Sequence, residues 1–343
     1  MNFHPTEVLS MPTDDLTMEA WEVTSEDFPS EAPLEDQARF LLRYAILAPS
    51  SHNSQPWKFI IDGPSIEIYA AEDRWLDVAD QDKRELYVGL GCAIENLCIA
   101  AGQFNLGYEI DYRDDTTPIT ILTLSRGGGT RSERPTELFD VITARCTNHQ
   151  LFEERPLSDD LLEQLQGCVI EDGVTLHLVG DPDLKESIAE LQAEADRRQM
   201  DNPEYRRELA HWIGIGALGD SWLKARIGQV AVTYLDLGDS EARKNSERLT
   251  SAPVVGVLVT DSDDLTERIK TGQVFERLAL VATTEGVASH PMSQILERPE
   301  MREELADILD VGRVRPQHLF RLGYPEAEQE HTPRWPIEVF LDG

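Results

Sequence analysis

With 64 Asp and Glu against 31 Lys and Arg, this 343-residue chain carries a formal net charge of −33, which argues against nucleic acid or an anionic membrane as its main partner. The length suits two units of about 150 residues with a sizeable core, no apolar run approaches the ~18 residues of a membrane span, and no signal-peptide pattern opens the chain. Cys92, Cys98, Cys146 and Cys168 form no C-x-x-C pair, so reduced thiols in a cytoplasmic protein are expected, and the acidity points to a salt-adapted cytoplasm.

Residues 1–33, rich in Pro, Asp, Glu and Ser with little periodicity, read as an acidic N-terminal arm. A helix follows, with Leu34, Ala38, Leu41, Leu42, Ala45 and Ile46 at three- and four-residue spacing and Glu35 and Asp36 in its first turn. Pro49 stops it. The next stretch, Ser50-Ser51-His52-Asn53-Ser54-Gln55-Pro56-Trp57, is dense in short donors and acceptors. Taken alone, it is either a turn joining helix to strand or the wall of a site for a flat, polar-edged ligand.

Strands over 57–61 and 66–70 flank the turn Asp62-Gly63-Pro64-Ser65. A long helix over 82–104 carries Gly89, Gly91, Ala93, Ala100 and Ala101, small residues that permit close approach of a partner helix, and strands over 108–112 and 119–124 end a first half spanning 34–125. A Gly-rich linker spans 126–134. The second half, 135–343, opens with helices over 135–143 and 158–166 and a strand over 174–179. Residues 183–247 are charged and helix-forming with apolar stretches, either an insertion lidding a pocket or an ordinary helical hairpin. Strand 253–260, helix 263–285, helix 298–309 and strand 317–322 follow, and 335–341 returns as an extended tail. The two long helices have matching surroundings, a faint internal duplication.

The stretch Ala48-Pro49-Ser50-Ser51-His52-Asn53-Ser54-Gln55-Pro56-Trp57 resembles a signature of the nitroreductase superfamily. So do Asp82-Lys83-Arg84-Glu85-Leu86 with Gly91 to Leu97, Arg145-Cys146-Thr147-Asn148-His149, Thr284-Glu285-Gly286, and Arg321-Leu322-Gly323-Tyr324-Pro325 leading to Thr332-Pro333-Arg334. Their order is similar to the Acg-like branch, in which two nitroreductase-like halves are fused in one chain. The resemblance implies an α+β nitroreductase-like fold, an intramolecular pseudo-dimer with a helical lid insertion, and FMN as cofactor. It implies that Pro49, Ser50, Ser51 and Asn53 line the flavin slot, that Arg145, Thr147, Asn148 and Arg334 hold the phosphate, and that Glu285 and Gly286 meet the ring near N5. Glycine there would let a backbone N–H approach closely. Gln55 and Trp57 are expected to support the loop. Cys146 and His149 stand where relatives carry arginine, and His149 would help a phosphate only when protonated.

The resulting expectation is an FMN-dependent oxidoreductase passing hydride from NAD(P)H through the flavin to a small-molecule acceptor such as a nitroaromatic or quinone. No evident general acid is found in the sequence. An FMN-sequestering protein with little turnover, and a degenerate scaffold without flavin, are the alternatives. Gly214-Ile215-Gly216-Ala217-Leu218-Gly219 satisfies G-x-G-x-x-G but follows a polar helical stretch where a dinucleotide site needs a strand. No histidine or cysteine spacing suits a metal, and no G-x-S-x-G supports a hydrolase.

Overall fold

Gly63, at φ +56, opens the two-residue turn that folds β1 (Trp57–Asp62) back on β2 (Ser65–Ala70), with Asp62 paired to Ser65. The same antiparallel sheet takes in β3 (Leu106–Tyr112) and β4 (Thr120–Arg126) in the order β1-β2-β4-β3. A second antiparallel sheet holds β5 (Val174–Val179), β6 (Val254–Thr260), β7 (Ala288–Pro291) and β8 (Arg315–Gly323) in the order β5-β6-β8-β7. Numbered within each sheet, both orders are 1-2-4-3. The computed structural model describes residues 16–114, 116–127, 134–219, 222–234 and 238–342. Residues 1–15 of the expected N-terminal arm, and 128–133 of the expected linker, lie outside the described residues.

Helix α1 (Leu34–Ala45) precedes the first sheet, and α2 (Arg84–Gln103) joins its second and third strands. In the second sheet α3 (Asp159–Gly167) and α8 (Leu265–Thr284) take the corresponding places in chain order. Where the first sheet has only the Gly63 turn, the second carries four helices between β5 and β6. These are α4 (Pro182–Asp201), α5 (Pro203–Gly214), α6 (Trp222–Tyr234) and α7 (Gly238–Ser251). A further helix, α9 (Pro299–Ile308), stands between β7 and β8.

Helices α2 and α8 pack directly on each other through Gly91 and Gly272. A Cβ on Gly91 would lie 2.0 Å from the Ile269 carbonyl oxygen, and one on Gly272 1.9 Å from that of Val88. Ile269 and Val88 each stand three residues before the opposing glycine, so the contact is reciprocal. Four residues after each glycine comes a fully buried glutamate, Glu95 and Glu276. Glu95 meets Arg134 and Arg277, each at 2.7 Å, and both arginines also reach Glu171. Glu276 has an ion pair with Arg145 alone among the described residues, at 3.2 Å.

The main core gathers α1, α2, α8 and the facing sides of both sheets. A second cluster fills the space between the far face of the second sheet and helices α4, α7 and α9. Covered on both faces, β6 is buried at every residue, which is why Val254–Thr260 reads as an unbroken apolar run, whereas β1 alternates as a one-sided strand does. Helix α2 is long and apolar enough to span a membrane by composition, but it lies inside this core.

Three local expectations are corrected. Residues 135–143 form a 3-10 turn, Thr136–Val141, rather than an α-helix, consistent with the poor helix propensity of its Thr, Asp and Val. The tail at 335–341 closes in a 3-10 turn, Ile337–Phe340, beside a single bridge between Phe59 and Leu341. Strand β7 is an element that the sequence does not announce, because Ala-Ser-His-Pro has little strand character and is held by pairing with β8.

Candidate functional site

Helix α1 ends at Ala45, and the carbonyls that follow need partners. Arg334 supplies them: Nε donates to Ile46 O at 3.0 Å, and Nη2 to Leu47 O at 3.0 Å and Ala48 O at 3.2 Å. A cation at a helix C-terminus also opposes the dipole favourably. Its Nη1 donates to Asn53 Oδ1 at 2.8 Å, while Asn53 Nδ2 donates to Pro333 O and Ala217 O, each at 2.8 Å. One asparagine thus ties the loop to the C-terminal segment and to the helical insertion.

The loop itself is strained. His52, Asn53 and Gln55 hold φ of +49, +52 and +51, a region that costs a non-glycine residue roughly 1–2 kcal/mol. Surrounding bonds impose this shape: Gln55 N donates to Ser50 Oγ at 2.9 Å, Arg74 Nη1 to Gln55 O at 3.2 Å, and Trp335 N to Gln55 Oε1 at 3.2 Å. Strain held this firmly is a mark of functional loops. Gln55 and Trp57 are both buried and outside the cavity wall, Gln55 tied into the loop by these bonds and Trp57 lying against Phe340.

Behind this loop opens a cavity of about 420 Å³. The first half contributes Pro49, Ser50, Ser51 and Asn53, with Val88, Gly89 and Cys92 from α2. The second contributes Arg145, Thr147 and Arg334, Phe275 from α8, and His290 and Pro291 at the end of β7. Trp21, from the N-terminal segment, lies against Arg334, its ring centroid 4.8 Å from the guanidinium carbon, and stacks on His331 at 4.0 Å. Tyr205 and Leu218 of the insertion complete the wall. Glu208 fastens that insertion, accepting from Val78 N and Ala79 N at 3.0 Å each.

The cavity is electrically divided. At one end stand Arg145 and Arg334, both nearly inaccessible. Arg334 spends its donors on carbonyls, and burial and the nearby Arg145 bring its pKa down to about 9. Arg145 is less committed to carbonyls: its bonds to Thr147 Oγ1 and Leu47 O are 3.5 and 3.4 Å, and its Nε lies 3.2 Å from Glu276 Oε1 as an ion pair. Burial pushes its neighbour Glu276 up to about 7 against the pull of Arg145. His149 lines the cavity too, but burial, Arg248 and Arg321 lower it to about 4, so near neutral pH it adds no charge.

Elsewhere in the cavity wall are Glu85, His318, Tyr205, Gln294 and Glu297. Glu85 sits next to buried Arg84, to which it is bonded, and takes the Ser51 hydroxyl at 3.3 Å. Burial opposes its charge, yet Arg84 and His318 hold its carboxyl well below the usual carboxylate range. Both nitrogens of His318 are buried without a hydrogen-bond partner, with Nδ1 3.7 Å from Glu85 Oε1.

Seven of the ten expected site residues therefore meet in one cavity: Pro49, Ser50, Ser51, Asn53, Arg145, Thr147 and Arg334. Three do not. Asn148 is turned into the fold, its Nδ2 donating to Ala327 O at 3.0 Å and its Oδ1 accepting from Gln150 N at 2.8 Å. Glu285 and Gly286 are exposed and form the C-terminal cap of α8, with Gly286 at φ +70 and Val287 N bonded back to Ala282 O at 2.9 Å. From this part of the chain the cavity is lined instead by His290 and Pro291 at the end of β7 and by Ser293 just beyond it. Glu85 stood inside a recognised motif without a role, whereas no local pattern marked Tyr205, Glu297 or His318. All four cysteines are free thiols, and among the described residues no His, Cys, Asp and Glu group could hold a metal ion.

No protein-family model matches the chain. It is 24% identical over 344 residues, covering 90% of this chain and 94% of the other, to the protein named "Putative NAD(P)H nitroreductase Rv3131" from Mycobacterium tuberculosis H37Rv. It is 25% identical over 317 residues, covering 89% and 95%, to "Putative NAD(P)H nitroreductase acg" of the same organism. Among solved structures, the FMN-dependent nitroreductase NfnB from Mycobacterium smegmatis in complex with NADPH aligns with a TM-score of 0.38 at 17% identity, over 55% of this chain and 88% of that one. The similarity thus extends over about nine-tenths of the chain, to proteins whose names read "Putative NAD(P)H nitroreductase".

Proposed function

We propose that the cavity holds FMN and that the protein is an NAD(P)H-dependent oxidoreductase of the nitroreductase type, acting on small-molecule acceptors. The observation that carries this reading is the convergence of the Pro49–Asn53 loop with Arg145, Thr147 and Arg334 around one cavity. The side chains there suit a flat ligand that ends in a phosphate. The terminal nitrogens of Arg145 make only long bonds, to Thr147 Oγ1 and Leu47 O, and so keep donor capacity, the Thr147 hydroxyl stands beside it, and charge-assisted bonds from guanidinium to phosphate are the strong ones. Gly89 faces Ser50 across the wall, where a Cβ would stand 3.5 Å from the serine Cβ, in ordinary contact. When bound, FMN would supply the two-electron hydride chemistry. The protein's part is to anchor the phosphate through Arg145 and Thr147, to wall the slot with Pro49, Ser50 and Ser51, and to keep water out with Trp21 and the insertion.

A second reading, sequestration of FMN with little turnover, draws on one feature. The insertion is bonded to the site loop through Asn53 and Ala217 and places Tyr205 and Leu218 in the wall. One experiment separates the two. Protein purified with bound FMN is expected to be yellow, to bleach under anaerobic NADPH and to recolour on addition of a quinone. Colour that NADPH leaves untouched favours sequestration, and a colourless protein that takes up no FMN overturns both.

A further inference from the structure

The cavity wall passes from one half to the other where the start of α2 meets β8. Arg84, the first residue of α2, makes that junction: it is bonded to the Glu85 carboxylate, and its Nη1 donates to Gln317 O at 2.7 Å, one residue before His318. Glu85 and His318 are thereby brought together, 5% and 2% exposed, with Nδ1 of the imidazole 3.7 Å from Oε1 of the carboxylate. That separation is beyond hydrogen-bond reach. The rings packed on His318 are those of Phe275 and Phe320, and neither of its nitrogens has a hydrogen-bond partner among the described residues. An imidazole always carries at least one N–H, and a buried donor left unpaired is costly. On Glu85 the Arg84 guanidinium and the Ser51 hydroxyl take one bond each, so two of about four lone-pair sites of the carboxylate stay open.

Resting on the oxidoreductase reading above, we propose that Glu85 and His318 form the pocket for the carboxamide of a nicotinamide ring, the group by which the hydride donor is recognised. The pair sets an acceptor beside a donor. A primary carboxamide is the complement: its N–H donates to the Glu85 carboxylate, and its C=O accepts from the His318 N–H. Both side chains line the cavity together with Phe275, which stands edge-on to His318 at 4.3 Å between ring centroids and gives a flat ring an apolar surface. Ser51, bonded to Glu85, joins this pocket to the slot walled by Pro49 and Ser50. The same pair rejects near relatives of the ligand. A carboxylate in the carboxamide's place has only acceptors to offer Glu85, and Arg84, which balances Glu85, is not in the cavity wall. A methyl ketone keeps the acceptor for His318 but brings Glu85 no N–H.

The test uses the full-length protein loaded with FMN. Calorimetry measures its binding of oxidised nicotinamide adenine dinucleotide, of the nicotinic acid counterpart and of the acetylpyridine analogue, each with and without the additional ribose phosphate. Both changes to the carboxamide are expected to weaken binding by at least roughly tenfold, the low end for a hydrogen bond to a charged group. In Glu85→Gln, whose amide donates as well as accepts, the gap between the nicotinamide and nicotinic acid forms should close. In His318→Phe, which keeps the aromatic packing, all three ligands should weaken while the gap between nicotinamide and acetylpyridine persists. Equal wild-type affinity for the nicotinamide and nicotinic acid forms, or no binding of either, overturns the proposal without recourse to a variant. So does a loss of FMN affinity in both variants with the ligand gaps unchanged, which hands the pair to the N–H and C=O edge of the flavin itself. Bleaching of the flavin by NADH or NADPH alongside equal affinities sinks the carboxamide pocket alone, whereas no bleaching by either sinks the oxidoreductase reading beneath it.

Discussion

Replacing Gly91 by alanine tests whether the glycine contact between α2 and α8 holds the molecule together. The added methyl would sit 2.0 Å from Ile269 O and 2.9 Å from the Gly272 Cα, where ordinary contact begins at 3.4 Å. The obstructing atoms are backbone, within a helix whose residues 271–282 are all buried, so no side chain can swing aside and the helix axes must part. Overpacking a core usually costs about 1–3 kcal/mol. Here the intruded atoms are the least able to yield, so a loss of about 3 kcal/mol or more is expected. The measurement is denaturant unfolding of wild type, Gly91→Ala, Gly272→Ala and the double variant. Because both methyls enter one seam, the second should cost clearly less than the first, a coupling that independent sites would not show. The same separation would move Gly89 and Cys92 away from Phe275, so FMN affinity should drop as well. A loss under about 1 kcal/mol with an unchanged denaturant slope would refute the close-contact reasoning.

Arg145→Ala should weaken FMN by about ten- to a hundredfold, the worth of one charge-assisted bond at roughly 1.5–3 kcal/mol; Arg334→Ala should in addition lower stability by leaving the Ile46, Leu47 and Ala48 carbonyls without their donor. Fluorescence titration and unfolding curves separate the two, and equal FMN affinity in wild type and Arg145→Ala removes that residue from the site. Glu285→Ala should leave FMN affinity unchanged, because the side chain is exposed on the α8 cap; a tenfold loss would reinstate the family expectation. One FMN per chain is expected when released flavin is counted against protein, since the place around Glu95 that corresponds to the cavity is filled by Arg134, Arg277 and Glu171; a ratio near two contradicts this. The melting temperature should climb steeply from about 0.1 to 2 M KCl, as repulsion among surface carboxylates is screened to about 3 Å near 1 M, and a flat profile counts against salt adaptation.

Repeating elements were legible where a local pattern meets a burial requirement. The helices at 34, 84 and 265 declare themselves through their apolar spacing, and β6 through its unbroken run. The loop after Pro49 and the two arginines were located by the resemblance to the nitroreductase superfamily, since short polar side chains between a helix and a strand read equally well as an ordinary turn. Less legible was anything decided by partners far along the chain. Glu285-Gly286 matched a two-residue pattern, yet a helix ending in glycine produces the same pair for capping alone. His290 and Ser293 entered the site because β7 pairs with β8, and nothing within Ala288–Pro291 announces a strand. Tyr205 and Glu297 lie 92 residues apart in sequence and meet only because the insertion folds over the turn before α9.

The reciprocal glycine contact bears on how such a molecule can change. In a symmetric pair of identical chains every substitution is made twice, so a residue that improves one interface position must be tolerated at its mate. A single chain that carries both halves is free of that constraint. Glu95 and Glu276 occupy matching positions beyond Gly91 and Gly272, and they have been put to opposite uses. Around Glu95 two arginines and Glu171 make a closed, mutually satisfied knot, while Glu276 is left with Arg145, which itself lines the cavity. In one chain, two matching positions can thus differ, one closed into a knot of ion pairs and the other left with a single partner.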